Sequence, residues 1–494
     1  MESPVLSSAQ IQAAEQATFA RGISVETLMD QAGAGVARAV RQFFPKPATC
    51  IVFAGKGHNG GDALVAAEQL QRIGWKIDIR TPFLEENCSE LTQKKLKALR
   101  ESTSPPDAID RAPHTVVIDG LLGTGAKSFL REPIRSAARE INRLRREENA
   151  FVFAVDLPTG IDADSGENDP EDCVVADFTV TIGFAKHGLI VDSALDFVGR
   201  IEIVPLPDLW TDAAANELAA SSHSLSALLS RRAFSAYKNQ FGRIGVVAGS
   251  KGLLGAALLA THGALRAGAG LVRVYVPDEI YEIVASAAPI ESMVHPVRRY
   301  RDLLEEPVDV WALGPGLGKA RAGEILNLIE NAAQPMVVDA DGLNILAEKI
   351  DILRSCRGPR LLTPHPGEMG RLMETGKMAR AGIARNFCDR FPVTLLFKGS
   401  RTIICERGKP ISYNTTGNPG MASGGMGDVL TGVCAGLAGR ELSMYDCGRI
   451  GAWACGRAAE LSIFHQGASE ESLLASDVVA NLGGAFNELR NPSV

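Results

Sequence analysis

Paired cysteines are missing from this 494-residue chain. Its nine cysteines (Cys50, Cys88, Cys173, Cys356, Cys388, Cys405, Cys434, Cys447 and Cys455) never fall at the CxxC spacing of a zinc or redox site, so reduced and mostly buried thiols are expected. An excess of basic charge is missing too. With 51 Lys and Arg against 58 Asp and Glu, the formal net charge is -7, which gives no positive field for a phosphate backbone and argues against nucleic acid as a partner. No uninterrupted apolar run reaches the length that crosses a membrane. Residues 1–12 lack the basic stretch and apolar core of a secretory signal. A cytoplasmic protein with no membrane partner is expected.

What is present points to packed α/β structure. The chain exceeds the size at which a single core stops growing, and 46% hydrophobic with 22% charged residues is the composition of an ordered protein. Its 50 glycines cluster after short β-branched runs, where glycine lets backbone turn sharply or approach a ligand closely. The clearest shift in composition falls at 208–237, rich in Ala, Ser and Asn. It divides the chain into a first domain at 1–210, a linker at 211–224 and a second domain at 225–494. On both sides an apolar run, a glycine-rich turn and an amphipathic stretch recur, the pattern of parallel strands with helical crossovers. Strands are predicted at 50–54, 76–80, 115–118, 151–155 and 178–182, then at 243–248, 271–276, 308–313, 336–338, 360–362, 393–397 and 402–405.

In the first domain the leading strand runs into Gly55-Lys56-Gly57-His58-Asn59-Gly60-Gly61-Asp62 and then a helical stretch. Converging backbone amides and a helix N-terminus form an anion site that needs few lysines. Two further strands end in Asp119, before Gly123-Thr124-Gly125, and in Asp156, before Leu157-Pro158-Thr159-Gly160. Ligands of open α/β sheets sit beyond the carboxyl ends of the strands, so Asn59, Asp119 and Asp156 can line one crevice. Taken singly, each aspartate could equally cap the turn that follows it. Asn and Asp oxygens with nearby carbonyls also suit a hard cation.

These motifs, in this order, resemble the NAD(P)H-hydrate epimerase family. The resemblance implies a Rossmann-like three-layer sandwich that interconverts the R and S forms of NADHX and NADPHX. It implies K+ held by Asn59, Asp119 and Thr159. Substrate contacts carry over to His58, Asn59, Gly60, Gly61 and Asp62, to the loop Gly123-Thr124-Gly125-Ala126-Lys127-Ser128-Phe129, and to Asp156. Asp156 is the catalytic candidate, since epimerisation at the hydrated ring carbon requires proton transfer by a positioned group; Lys186 is a second. The chain departs from the family in carrying His58 for asparagine, Ala63 for glycine and Thr159 for serine. Thr159 keeps the hydroxyl.

The second domain contains Asn418-Pro419-Gly420-Met421-Ala422-Ser423-Gly424-Gly425-Met426-Gly427-Asp428 before an apolar stretch. Amides at Gly425, Met426 and Gly427 can hold a transferring phosphoryl group, and Asp428 can accept a hydroxyl proton; the plainer alternative is a helix-capping aspartate. Lys398-Gly399-Ser400-Arg401-Thr402 follows another buried run, where the lysine could act on phosphate as a point charge. Gly314-Pro315-Gly316-Leu317-Gly318, Asp339-Ala340-Asp341-Gly342-Leu343-Asn344 and Thr363-Pro364-His365-Pro366-Gly367-Glu368 close three more strands. This ordered set resembles the NAD(P)H-hydrate dehydratases, a ribokinase-like α/β group.

That resemblance implies dehydration of the S hydrate to NAD(P)H at the expense of ADP or ATP, with Mg2+ accompanying the nucleotide. Substrate contacts fall at Ala256, Gly316, His365 and the catalytic Asp428, and nucleotide contacts at residues 398–402 and 418–427. Methionine stands at Met426 where the family has threonine, which leaves the amide donor in place. The combined expectation is a bifunctional metabolite-repair enzyme, lyase and isomerase, forming a homo-oligomer as such folds commonly do. The alternative is a small-molecule kinase with a non-catalytic N-terminal binding module.

Overall fold

The computed structural model describes residues 2–102, 111–125 and 129–492. The chain forms two compact units that part between Ala215 and Asn216. The boundary thus falls inside the expected linker. The end of that linker is ordered: Glu217–Ala220 is a strand and Ser222–Ser226 a helical turn, both in the second unit.

The first unit carries six parallel strands: β1 (Thr49–Ala54), β2 (Lys76–Arg80), β3 (Thr115–Gly120), β4 (Phe151–Val155), β5 (Phe178–Ile182) and β6 (Arg200–Val204). Their order is β2-β1-β3-β4-β5-β6. Alternate residues face opposite sides of such a sheet. Ile51, Phe53, Val117, Val152 and Ala154 pack against α4 (Ile134–Glu147). On the other face Phe153 stacks on Phe178, ring centroids 4.4 Å apart, and both meet Phe43 of α2 (Val25–Phe43). Helices therefore cover both faces, giving the expected Rossmann-like three-layer sandwich. Two further helices matter for the site: α1 (Ser8–Ala20), closed at its start by a Ser7–Gln10 capping box, and α3 (His58–Arg72). The chain leaves β1 for β2 on one side and β3 on the other, so the crevice of this sheet opens between the ends of β1 and β3.

The second unit has ten strands: β7 (Glu217–Ala220), β8 (Arg243–Val247), β9 (Leu271–Pro277), β10 (Ser292–Val297), β11 (Val310–Leu313), β12 (Met336–Val338), β13 (Arg360–Leu362), β14 (Thr394–Phe397), β15 (Ile403–Glu406) and β16 (Ile411–Asn414). They lie in the order β10-β9-β8-β11-β12-β13-β14-β15-β16-β7. The block from β10 to β14 is parallel, and β15 runs antiparallel to both of its neighbours. This is the second α/β half expected from the sequence. One face is buried by α5 (Leu254–Arg266), α7 (Met426–Ala438), α8 (Met444–Gln466) and α9 (Ala475–Arg490). Here the strand order, not the strand direction, reverses between the parallel neighbours β8 and β11.

Every strand expected from the sequence is present within a residue or two of its bounds. The ones not foreseen are β6, β7, β10 and β16, each at or near a sheet edge, and the two-residue strands Val5–Leu6 and Ala185–Lys186, which pair with each other. Alanine-rich β7 and the Pro296-containing β10 have weak strand propensity; their ladders to β16 and β9 make them strands.

A Cβ on Gly432 would lie 1.9 Å from the Ala260 carbonyl oxygen, and one on Gly263 2.4 Å from that of Val429. Helices α5 and α7 thus run side by side with backbones in contact. Since Gly425 lies by Leu259 and Gly436 by Ala264 and Ala267, they run in the same direction. Gly432→Val is expected to cost about 3 kcal/mol through forced separation, whereas Gly483→Ala on α9, with open space around it, stabilises by up to about 1 kcal/mol. Denaturant midpoints of the two variants test this.

Candidate functional sites

In the first unit the turn after β1 is closed by glycine. A Cβ on Gly60 would lie 2.0 Å from the Gly55 carbonyl oxygen, so only glycine lets α3 begin there. The first turn of α3 carries Asn59, whose Nδ2 donates to the Leu122 carbonyl at 2.9 Å. The Leu122 amide donates to the Thr159 hydroxyl (3.2 Å), and that hydroxyl donates to Asp119 Oδ1 (2.8 Å). Asp119 also accepts the Thr159 and Leu121 amides. The three residues expected to share a cation are therefore joined in one buried network.

Asp119 and Thr159 are fully buried. Burial pushes the Asp119 carboxyl up to about 6, against its hydrogen bonds from Thr159 and Leu121, and no basic side chain contributes. A buried acid without a cationic partner, bonded to a hydroxyl and linked through Leu122 to the Asn59 amide, is an oxygen-rich set that fits a hard cation. Among the described residues no three His, Cys, Asp or Glu side chains cluster as a metal site.

Asp156 closes β4 with φ of 69°, a left-handed conformation that costs a non-glycine residue and is held only by its surroundings. Its amide donates to the Val180 carbonyl, and its Oδ1 accepts the Ile182 amide and the Lys186 ammonium. Lys186 also donates to Thr181 Oγ1 (2.9 Å) and the Ile182 carbonyl (3.2 Å), which occupies all three of its hydrogens. Asp156 Oδ2 has no partner among the described residues and is the oxygen available to a ligand.

The remaining expected contacts divide. Gly60 and Gly61 are buried in the first turn of α3, and Gly123 lies against Asn59. Asp62 is half-buried, its carboxyl raised well above the ordinary range by burial and then by Asp156 and Glu15. Thr124 and Gly125 follow in the loop, while His58 and Phe129 are exposed, Phe129 at 75%. Ala126, Lys127 and Ser128 lie outside the described residues.

In the second unit the ends of β11, β12, β13 and β14 meet the start of α7. Gly425, in the left-handed region at φ 89°, caps α7. The first-turn amides of Met426, Gly427 and Asp428 lack intrahelical partners by construction, and the Met426 side chain turns into the core. Asp339, at the end of β12, accepts Lys398 Nζ (2.7 Å) on Oδ1 and the Thr431 hydroxyl (2.8 Å) on Oδ2. Lys398 also lies 3.6 Å from Glu368. Burial works against its charge, but Asp339 and Glu368 outweigh that and raise its titration. Burial, then Asp339, push Asp428 up to about 6, with Lys398 pulling the other way.

The sequence suggested Lys398 as a cation for phosphate; the structure shows it engaged by two carboxylates. Ser400 and Gly399 beside it are exposed, and the Thr402 hydroxyl closes the turn on the Gly399 carbonyl. His365 is half-exposed, and its Nδ1 accepts the Gly367 amide to cap α6 (Pro366–Leu372), so it has a structural task whatever it touches through Nε2. Ala256 and Gly316 come together: a Cβ on Gly316 would lie 3.1 Å from that of Ala256. The segment 418–424 is a loop in which Asn418 Oδ1 accepts the Gly420 amide, while its buried Nδ2 has no partner among the described residues. Ala422, Ser423 and Gly424 are exposed.

One participant was not singled out from the sequence. Thr431 lies three residues after Asp428, on the same face of α7, and bonds Asp339; that spacing was the available signal.

The family model of NAD(P)H-hydrate dehydratases matches residues 244–481, and that of the YjeF-related protein N-terminus matches residues 25–188. A bifunctional NAD(P)H-hydrate repair enzyme of Moorella thermoacetica is 34% identical, the alignment covering 92% of this chain and 90% of that protein. The chain belongs to the family of bifunctional NAD(P)H-hydrate repair enzymes. The Escherichia coli relative is 32% identical over 94% of this chain and 90% of its own length. Among solved structures, an ADP/ATP-dependent NAD(P)H-hydrate dehydratase from Bacillus subtilis, co-crystallised with ATP and Mg2+, aligns at 26% identity. It covers 55% of this chain and 97% of that one, with a TM-score of 0.48. No helix among the described residues is long and apolar enough to cross a membrane, and all nine cysteines are free thiols.

Lys398→Met leaves Asp339 buried without its cation and is expected to cost about 3 kcal/mol or more. With the lowering charge gone, Asp428 titrates above its present value of about 6. Denaturant unfolding and a carboxyl NMR titration read the two effects.

Proposed function

We propose that the first unit epimerises R and S NAD(P)HX and that the second dehydrates S-NAD(P)HX to NAD(P)H, consuming ADP or ATP. The observation that carries this reading is the placement of Asp428, a half-buried carboxyl at the partnerless first turn of α7, within the family whose members bear this function. Hydroxide is a poor leaving group. Asp428 takes the proton of the ring hydroxyl as its oxygen attacks the terminal phosphorus of the nucleotide, whose phosphoanhydride bond breaks. The amides of Gly425, Met426 and Gly427 stabilise the phosphoryl oxygens. Phosphate then departs with the C–O electron pair, and loss of the neighbouring ring proton restores the double bond. ADP would yield AMP and phosphate. Asn418 Nδ2, buried and unpartnered, is a donor that a nucleotide would satisfy.

In the first unit Asp156 Oδ2 is the acid/base atom, with Lys186 holding the carboxylate from its far side. Asn59, Asp119 and Thr159 would hold K+, which when bound supplies a fixed positive charge at the end of the sheet.

Purified protein mixed with R- and S-NADHX and either nucleotide is expected to return the absorbance of the reduced nicotinamide from both epimers. Asp428→Asn abolishes that return and leaves epimer exchange, while Asp156→Ala does the reverse. Accumulation of a phosphorylated product would instead make the second unit a kinase, and loss of both activities in either folded variant would end the two-site assignment.

The cation has a readout of its own. With its native value near 6 against an ordinary 3.8, Asp119 favours the folded state at low pH, and the cation-free protein loses that contribution as pH rises from about 4 to about 6. K+ binds the ionised form. Exchanging tetramethylammonium for K+ should therefore raise Tm more at pH 8 than at pH 5, by the equivalent of about 2.7 kcal/mol at a hundredfold excess over Kd. An equal gain at both pH values would count against this cation site.

A further inference from the structure

The second unit holds a cavity of about 300 Å³ whose lining includes none of residues 398–402 and 418–428. It is lined by Ser250 and Lys251 after β8, by Tyr300 after β10, and by Leu317 and Arg321 after β11. Its wall is built from the loops that also carry the expected substrate contacts Ala256 and Gly316. The Ser250 hydroxyl donates to the Gly316 carbonyl at 2.8 Å. A Cβ on Gly316 would lie 3.1 Å from that of Ala256, and one on Gly314, at the start of the same loop, 1.9 Å from the Asp339 carbonyl oxygen. Asp339 in turn lies beside Gly427, next to Asp428. From Gly314 to Gly318, which lines the cavity, the chain spans at most about 14 Å. A dinucleotide with its hydrated ring at Asp428 is long enough to bring its other half there.

The polar groups of the cavity suit an anion. Lys251 is exposed and has neither a hydrogen bond nor an ion pair among the described residues. Tyr300 is only 2% exposed, and its hydroxyl has no partner among the described residues. Burial pushes that phenol up to about 12 against the pull of Arg321, so it keeps its proton as a donor. A buried hydroxyl left unpaired is costly, and this one lines a space in which a ligand can pair it. The Arg321 guanidinium lies 5.5 Å from the Tyr300 ring centroid and donates to the Arg298 carbonyl at 2.5 Å, which leaves further hydrogens of its five for a ligand. The acid in the lining, Glu279, is 4.0 Å from Arg321 and turns mostly to solvent.

We propose that this cavity is a phosphate-binding part of the dehydratase site, in which Lys251, Arg321 and the Tyr300 hydroxyl hold a phosphate of the adenosine half of NAD(P)HX against the apolar Ile280 and Leu317. The proposal rests on the dehydratase reading of the second unit. Two cations and a neutral donor match the charge and the acceptor oxygens of a phosphate. That phosphate is either part of the pyrophosphate, present in both hydrates, or the 2′-phosphate that NADPHX alone carries.

The test uses Lys251→Ala and Tyr300→Phe in the full chain, the first removing an unpaired charge and the second a single oxygen. In Lys251→Ala, KM for S-NADPHX is expected to rise about tenfold with kcat little changed, while KM for the nucleotide and the rate of epimerisation stay at the level of the parent protein. Tyr300→Phe gives a smaller rise of the same kind. An equal rise with S-NADHX assigns the pyrophosphate, and a rise confined to S-NADPHX assigns the 2′-phosphate. Methyl NMR reads the cavity without turnover: the resonances of Ile280 and Ile325, both in its lining, should shift on addition of NADPH, with Kd about tenfold higher in Lys251→Ala. That titration holds even if the parent protein fails to dehydrate S-NADPHX, which would overturn the dehydratase assignment separately. Isoleucine methyls unmoved by NADPH, or KM unchanged for both hydrates in both variants, would overturn the phosphate site.

Discussion

The second unit depends on one contact without side chains. At Gly432 and Gly263 the backbones of α5 and α7 meet, with each missing Cβ leaving room for a carbonyl of the other helix. Because the two helices run in the same direction, both N-termini arrive at the end of the sheet where β8 and β11 part. Any larger residue at these positions moves α7, and with it Gly425, Gly427 and Asp428. Gly427 is itself confined, since a Cβ there would lie 3.3 Å from both Asp339 Oδ2 and Lys398 Nζ. Strand ends and helix start are thus locked together by Asp339, which spends one oxygen on Lys398 and the other on Thr431.

Three carboxylates at strand or helix ends show how surroundings assign different tasks to the same group. Asp119 is buried with amide and hydroxyl donors but no basic side chain, which suits a cation. Asp428 is raised by burial and by Asp339, poising it to exchange a proton near neutrality. Asp156 is divided between its two oxygens, one tied to Lys186 and the Ile182 amide, the other open.

Much of this was legible in the sequence because strand ends announce themselves. A β-branched run that stops at a glycine, aspartate or proline located nearly every site element, and Asn59, Asp119 and Thr159 converge although 40 residues separate the last two. What the sequence did not show has physical reasons as well. Edge strands such as β7 owe their state to a partner's ladder, which propensity does not record. Lys398 follows a buried strand as a phosphate-binding lysine would, and its ammonium also meets Asp339 at the end of β12 and Glu368 in the first turn of α6, neighbours that sequence distance conceals. The prolines around His365 that suggest a ligand contact also mark the helix start that its Nδ1 caps, a second task that the motif does not display.

A primary amine beside a crevice is ordinarily a hazard, since it can condense with any carbonyl compound that enters. In the first unit the amine of Lys186 is only 1% exposed, and a carboxylate, a hydroxyl and a backbone carbonyl take up its three hydrogens. While it holds them the nitrogen has no lone pair to offer. The arrangement that aims Asp156 therefore also keeps an aldehyde or ketone from being captured as an imine at that end of the sheet.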